Sequence, residues 1–126
     1  MAMAAAAQPA VRREVLMKSP GKGTAIMGLA YYSRATGVDM VSIEQRWSRS
    51  DTIDTVFRRT SKDNGRTWSA PVESKTGEKR ADGTWRKHPR AGYVDPRSKR
   101  LIEFWMERSE EHTSELQSRG LISYAV

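Results

Sequence analysis

The chain lacks cysteine and has no long apolar run. The absence of cysteine rules out disulfides, but it neither demands nor excludes export, because many secreted domains carry no disulfide. No apolar run approaches the roughly 20 residues that a membrane-spanning helix needs, so we expect no membrane span. Apolar residues make up only 37% of the chain, which predicts a thin core.

The chain is basic, with a formal net charge of +7. Its cations cluster at 79–80, 86–90 and 97–100, beside Trp85 and Tyr93. Basic loops with aromatic neighbours can follow a phosphate backbone. Solvated loops around short strands are the favoured interpretation, and a basic surface also suits an anionic sugar. We therefore expect no nucleic-acid partner.

One stretch, residues 61–68, has the composition of a tight turn between two strand-like runs. Asp63 offers a short side chain that accepts hydrogen bonds from nearby backbone N–H groups, and Asn64 and Gly65 tolerate a positive φ. Trp68 supplies an apolar surface for the turn to rest on. The pattern predicts a hairpin with an elaborated loop.

The flanking sequence predicts an all-β fold with a four-stranded antiparallel meander. The predicted strands are residues 24–33, 38–47, 53–60 and 68–72, the first of them buried on both faces. A polar loop over 47–52 is expected at one end of the sheet, and the turns at 36–37 and 61–68 at the other. Residues 73–87 are predicted to form a polar connection, and two further strands follow at 88–94 and 100–106.

The turn carries a family resemblance. Its five defining positions, Ser61, Asp63, Gly65, Thr67 and Trp68, resemble the Asp-box of the sialidase (neuraminidase) BNR-repeat β-propellers. The resemblance implies one propeller blade and the start of a second, as a fragment of a six-bladed propeller, because 126 residues are too few to close one. In that family the Asp-box is structural and does not specify an activity.

The same resemblance implies site residues at the opposite end of the sheet. Sialidases hold the substrate carboxylate with arginines and use an Asp acid/base with a Tyr nucleophile that Glu activates. Glu44-x-Arg46 resembles the family's Glu-x-Arg motif, which implies substrate binding by Arg46 and, in the following loop, by Arg49. Asp51 resembles the catalytic acid/base. The alternatives are an ion pair of Arg46 with Glu44 or Asp54, and a turn role for Asp51.

One departure from the family concerns its first site arginine, which opens the first strand in an Arg-Ile-Pro context. Residues 25–28 here read Ala-Ile-Met-Gly. The resemblance as a whole implies a fragment of an exo-α-sialidase-type glycoside hydrolase, inactive as supplied, with a glycan partner for which a sialoside is one candidate. The absent Arg-Ile-Pro motif favours the alternative, a non-catalytic Asp-box propeller that binds carbohydrate or protein. No metal or cofactor is implied, and His88 and Glu103 are minor site candidates.

Both ends of the chain differ in character from the centre. Residues 1–23 are an N-terminal segment whose alanine-rich start could be the end of a signal region, and a secreted or periplasmic location is expected. Within this segment, 11–18 is a candidate strand. Residues 24–107 form the partial propeller. Back-translation of 108–118 and 122–126 resembles a short-read sequencing adapter on either side of its index, so we expect 108–126 to be a non-native tail, with a polar helix as the alternative.

Overall fold

The computed structural model describes residues 7, 10–49, 52–110 and 119–125, the last range through its backbone alone. The expected all-β class is confirmed, and the described residues contain no α-helix. Eight strands form two sheets: β1 (Ala25–Tyr32), β2 (Met40–Arg49), β3 (Thr52–Ser61) and β4 (Val72–Lys75), followed by β5 (Gly77–Arg80), β6 (Gly83–Val94), β7 (Leu101–Ser109) and β8 (Arg119–Ala125).

The first sheet is the predicted meander, with strand order β1-β2-β3-β4 and antiparallel pairing throughout. Tyr32 pairs with Met40, and Met40 pairs with Ser61, so the β1–β2 connection and the turn after β3 lie at the same end of the sheet. The backbone N–H of Asn64 donates to the carbonyl of Val38 across these two connections (3.0 Å). The predicted placement of both turns at one end is confirmed.

The second sheet repeats this arrangement in the order β5-β6-β7-β8. Its expected strands at 88–94 and 100–106 exist but are longer, because β6 begins at Gly83 and β7 extends to Ser109. A β-bulge interrupts the pairing of β6 with β7 between Pro89 and Ala91, since proline cannot donate a ladder hydrogen bond. The strand β8 covers the far edge of β7.

The prediction that the first strand is buried on both faces is wrong. β1 is the edge strand of its sheet, and its residues alternate between exposed and half-buried. Burial on both faces belongs to β2, where five consecutive residues from Val41 to Gln45 are buried. A central strand is covered by neighbours on both sides, whereas an edge strand with the same apolar content is not.

The predicted fourth strand at 68–72 is also wrong in position, because β4 begins only at Val72. Ser69 still belongs to the turn, where its N–H donates to the Thr60 carbonyl (2.8 Å) and its hydroxyl accepts from the Thr60 N–H (2.9 Å). Pro71 cannot donate to a ladder, so the strand starts after it.

The polar connection expected over 73–87 is largely strand. β4, β5 and the first part of β6 lie there, and a two-residue loop between Arg80 and Gly83 joins β5 to β6. Gly83 has a φ of 125°, and the indole N–H of Trp85 donates to the Asp82 carboxylate (2.9 Å). Charged residues such as Glu78 and Arg80 are compatible with an exposed edge strand, which explains why composition suggested a loop.

Two other expectations are corrected. The loop predicted over 47–52 is mostly strand, because β2 continues to Arg49 and β3 starts at Thr52, with register shifts around Trp47. The candidate strand at 11–18 has no strand structure. In the described residues no helix is long and apolar enough to span a membrane.

The two sheets meet where β1 and β3 approach β6, and the face of the first sheet that carries Ile43 and Gln45 is turned towards this contact. A small cluster of buried apolar residues forms the core on this face: Val41, Ile43, Ile53 and Val56, with Leu29, Tyr31 and Trp47 packed against it. The thin core predicted from composition is present. Polar side chains supply much of the remaining contact between the sheets, and these are described with the site.

Candidate functional site

The turn at 61–68, called the Asp-box turn here for the motif it resembles, is held by its own side chains. The Ser61 hydroxyl accepts from the Gly65 N–H (2.9 Å) and donates to Asp63 (2.8 Å). The Asp63 carboxylate accepts from the Thr67 N–H (2.8 Å) and from the Thr67 hydroxyl. The indole N–H of Trp68 donates to the Gly65 carbonyl (3.1 Å), and Gly65 has a φ of 78°. All five motif residues are thus engaged within the turn.

These hydrogen bonds determine the charge state of Asp63. Donation from the hydroxyl and the backbone N–H of Thr67, and from Ser61, lowers the pKa of Asp63 to about 2. The carboxylate is therefore ionised at any physiological pH and serves as an acceptor. A general acid needs a pKa near the working pH, so Asp63 is suited to a structural role.

Arg46 lies on the last part of β2, at the end of the sheet opposite the Asp-box. Its Nε donates to Glu44 (2.9 Å), its guanidinium carbon lies 4.3 Å from the centre of the Phe57 ring, and its Nη2 contacts the sulfur of Met17 (3.0 Å). The guanidinium is half-buried and oriented by three neighbours. The alternative pairing with Glu44 is present in the structure, and this pairing leaves part of the guanidinium fork free of carboxylate.

The other predicted residues of this end are only partly described. Asp51 lies outside the described residues. Arg49 is exposed and pairs with Glu110, a residue of the expected non-native tail. Asp54 accepts from the N–H and hydroxyl of Ser48 (2.7 and 2.6 Å); partial burial opposes ionisation, but these hydrogen bonds lower the pKa of Asp54. Asp54 thus braces the β2–β3 hairpin.

A polar cluster between the sheets was not foreseen as a unit. The hydroxyl of Tyr31 donates to Glu103 (2.6 Å), and Arg58 donates to the same carboxylate oxygen (2.8 Å). Glu103 lies on β7, 72 positions from Tyr31 of β1 and 45 positions from Arg58 of β3. The minor candidate Glu103 therefore links the two sheets, and only its position in an apolar strand could have suggested that it needs partners.

The protonation of this cluster opposes nucleophilic chemistry. Burial and the hydrogen bond to Glu103 raise the pKa of Tyr31 above its ordinary value. Burial disfavours ionised Glu103, yet the hydrogen bonds from Tyr31 and Arg58 hold the pKa of Glu103 below its usual range. A tyrosine nucleophile needs its phenol pKa lowered or a base that removes the proton. The two shifts keep the Tyr31 phenol protonated and Glu103 ionised, and the hydrogen bond between them links β1 to β7.

His88, the other minor candidate, is buried beside Gln45. The side-chain amide of Gln45 donates to the Pro89 carbonyl and lies 3.4 Å from His88 Nδ1. Burial lowers the pKa of His88, so the ring is neutral at physiological pH. This arrangement joins β2 to β6 and offers no reacting atom to solvent.

The described residues contain no group of three or more His, Cys, Asp or Glu side chains that could hold a metal ion. Comparison of the chain with protein-family models, with curated proteins and with solved structures finds no match. Inferences about function therefore depend on the geometry of the chain and on the resemblance carried by the turn.

Proposed function

We propose that the chain is part of a sialidase-like Asp-box glycoside hydrolase and contributes one side of a glycan site at the end of the β2–β3 hairpin. The observation that carries the proposal is the completed Asp-box hydrogen-bond network at one end of a four-stranded meander, with Arg46 at the other end. Within the proposal each sheet is one blade of a propeller whose remaining blades belong to a longer, exported protein.

The chemistry assigned to this end follows from residue type. The Arg46 guanidinium is a planar donor, already oriented by Glu44 and Phe57, that suits a carboxylate on an anionic sugar. Asp51, two residues beyond the end of β2, supplies the proton to the leaving group and later removes one from water. The nucleophile and the other arginines come from other blades, so the chain alone binds glycan without cleaving it.

A second function is favoured by one specific observation. The ion pair of Arg46 with Glu44, which is 2.9 Å long, already neutralises the charge that would bind a sugar carboxylate. A non-catalytic Asp-box propeller that binds carbohydrate or protein fits that pairing. The two functions differ in whether the longer protein releases sugar from a sialoside.

The test measures release of sialic acid from a fluorogenic sialoside by the longer protein. Replacement Asp51→Ala removes the acid/base and should lower kcat by at least about 100-fold. The control Asp82→Ala removes an exposed carboxylate on the β5–β6 turn and should leave kcat unchanged. Turnover that survives Asp51→Ala would remove Asp51 from the mechanism, and a longer protein with no turnover before any replacement would favour the binding function.

A further inference from the structure

A cleft lies at the Asp-box end, between the two sheets and away from Arg46. Its volume is about 560 Å³, within the range of small-ligand sites. Tyr31, Tyr32 and Tyr93 line it together with Arg34 and Lys99, and its lining includes no carboxylate. Tyr32 and Tyr93 are 49% and 54% exposed as whole residues, so a ligand can reach them.

The shape of the cleft depends on Gly92 of β6. A Cβ atom at Gly92 would lie 2.3–2.5 Å from the ring carbons of Tyr31, closer than any real contact. The absence of a side chain lets the Tyr31 ring lie between the sheets, where its hydroxyl is fixed by Glu103. One wall of the cleft is therefore rigid, which lowers the entropy cost of binding.

Lys99 has an unusual backbone. Its φ is 62°, and among the described residues the only other non-glycine residue with positive φ is Asn64 in the Asp-box. Asp95 closes the turn that holds Lys99. Its carboxylate accepts from the backbone N–H groups of Arg97 (3.2 Å) and Ser98 (3.0 Å), and its backbone carbonyl accepts from the N–H of Lys99 (2.8 Å). A lysine in this conformation carries strain that a glycine would avoid.

The two cations of the cleft differ in their partners. Arg34 pairs with Asp39 (3.0 Å), whereas Lys99 makes no direct ion pair in the described part of the chain, although the Asp95 carboxylate lies close enough to interact with its charge. Lys99 is thus the cation of the cleft that is less tied to a carboxylate, and exposed tyrosines line the same cleft. A nucleic-acid strand requires a row of cations along its backbone, whereas a sugar ring stacked on tyrosine needs one cation for its anionic substituent.

We propose that this cleft binds a saccharide that carries an anionic group, with the sugar ring against Tyr32 and Tyr93 and the anion on Lys99. The site is additional to the glycan site proposed at the β2–β3 end. It uses other residues and involves no catalytic step, so either site can be tested without the other.

The test is a titration of the ¹⁵N-labelled chain with glucuronyl-N-acetylglucosamine, followed in ¹H–¹⁵N spectra. The shifts should centre on 31–37 and 92–99. Lys99→Gln should weaken binding about tenfold, the effect of losing one charged hydrogen-bond partner. Tyr93→Ala should weaken it too, whereas Tyr93→Phe should retain it because the ring face makes the contact.

Three controls make the result decisive. Lys79→Gln removes the same charge from β5 and should leave the shifts unchanged. Arg46→Ala removes the other proposed glycan contact and should leave the shifts at 31–37 and 92–99 in place. The neutral glucosyl counterpart of the disaccharide should bind more weakly. Absence of shifts at 31–37 and 92–99, their loss in Arg46→Ala, an equal loss in Lys79→Gln, or tighter binding of an oligothymidylate would each overturn the proposal.

Discussion

The Asp63 carboxylate is central to the stability of the Asp-box turn. It accepts hydrogen bonds from both the backbone and the side chain of Thr67 and from Ser61. These bonds favour the ionised form in the folded state, so the pKa of Asp63 falls from 3.8 to about 2. The turn thereby couples folding to the ionisation of a single group.

The first prediction concerns the pH dependence that this coupling produces. Because the folded pKa lies below the unfolded one, the contribution of Asp63 to stability is complete above the unfolded pKa and is lost as the pH falls towards about 2. Thermal unfolding followed by circular dichroism should show a drop in melting temperature between pH 4 and pH 2 that is smaller in Asp63→Asn. Equal drops in both proteins would contradict this assignment.

The second prediction compares two tyrosines that are adjacent in β1. Tyr31 donates to the buried carboxylate of Glu103, whereas Tyr32 donates to exposed Asn64 (both 2.6 Å). Tyr31→Phe should lower the free energy of unfolding by about 1–2 kcal/mol, because it leaves a buried charge with one partner fewer. Tyr32→Phe should cost less than about 0.5 kcal/mol, as is usual for an exposed site. Urea unfolding measures both, and equal losses would contradict the account.

At the scale of the strand, β1 and β6 approach each other closely only because of a glycine. The ring of Tyr31 occupies the space that a side chain at Gly92 would need. Gly28, on β1 itself, has only the Ile43 carbonyl oxygen at 4.0 Å from its hypothetical Cβ. The two positions are therefore a matched pair for the same substitution.

The third prediction uses this pair. Gly92→Ala should destabilise the fold by about 1–3 kcal/mol through overpacking, whereas Gly28→Ala should stay within about 0.5 kcal/mol of the original. Combining Gly92→Ala with Tyr31→Ala should cost less than the sum of the two single changes, since the clash disappears with the ring. Additive losses in the double variant would show that the sheets do not meet at this point.

The strands that could be predicted from sequence are those with local signals. The alternation around Val41 and Ile43 and the turn chemistry around Asp63 indicated β2, β3 and the hairpin between β3 and β4. The start of β4 was wrong because Pro71 delays the ladder, and β5 was missed because charged residues tolerate an exposed edge. The hydrophobic pattern was enough to predict that these segments are strands. It could not predict which strand is buried on both faces, because that depends on the neighbouring strands.

The contacts between sheets were beyond sequence reasoning. Glu103 contacts Tyr31 and Arg58, which are 72 and 45 positions away in the chain, and the sequence around each of these residues does not indicate its partner. The placement of Arg46 at the end opposite the Asp-box did follow from the meander, because alternate turns of a meander lie at opposite ends. The other predicted residues of that end remain predictions: Asp51 as acid/base and Arg49 as an anion contact.

For the whole molecule, the important feature of the described fold is that each sheet ends in two edge strands. β1 and β4 end the first sheet, and β5 and β8 end the second. β8 comes from the segment expected to be non-native, and an open edge such as that of β7 readily accepts an apolar strand. The polar helix expected as the alternative covers 109–119, and most of it, 111–118, lies outside the described residues. In the proposed longer protein, neighbouring blades cover these edges.

We propose that the chemistry of the longer protein lies at the β2–β3 end, across the sheet from the Asp-box. The decisive measurement is kcat/KM for sialoside hydrolysis by the longer protein with Arg46→Ala, and with Lys62→Gln, an exposed residue of the Asp-box turn, as the control. We expect a loss of roughly 100-fold for Arg46→Ala, because a carboxylate partner is lost, and unchanged turnover for Lys62→Gln. Turnover within about twofold of the original in Arg46→Ala, a difference of less than about 0.5 kcal/mol, would contradict it.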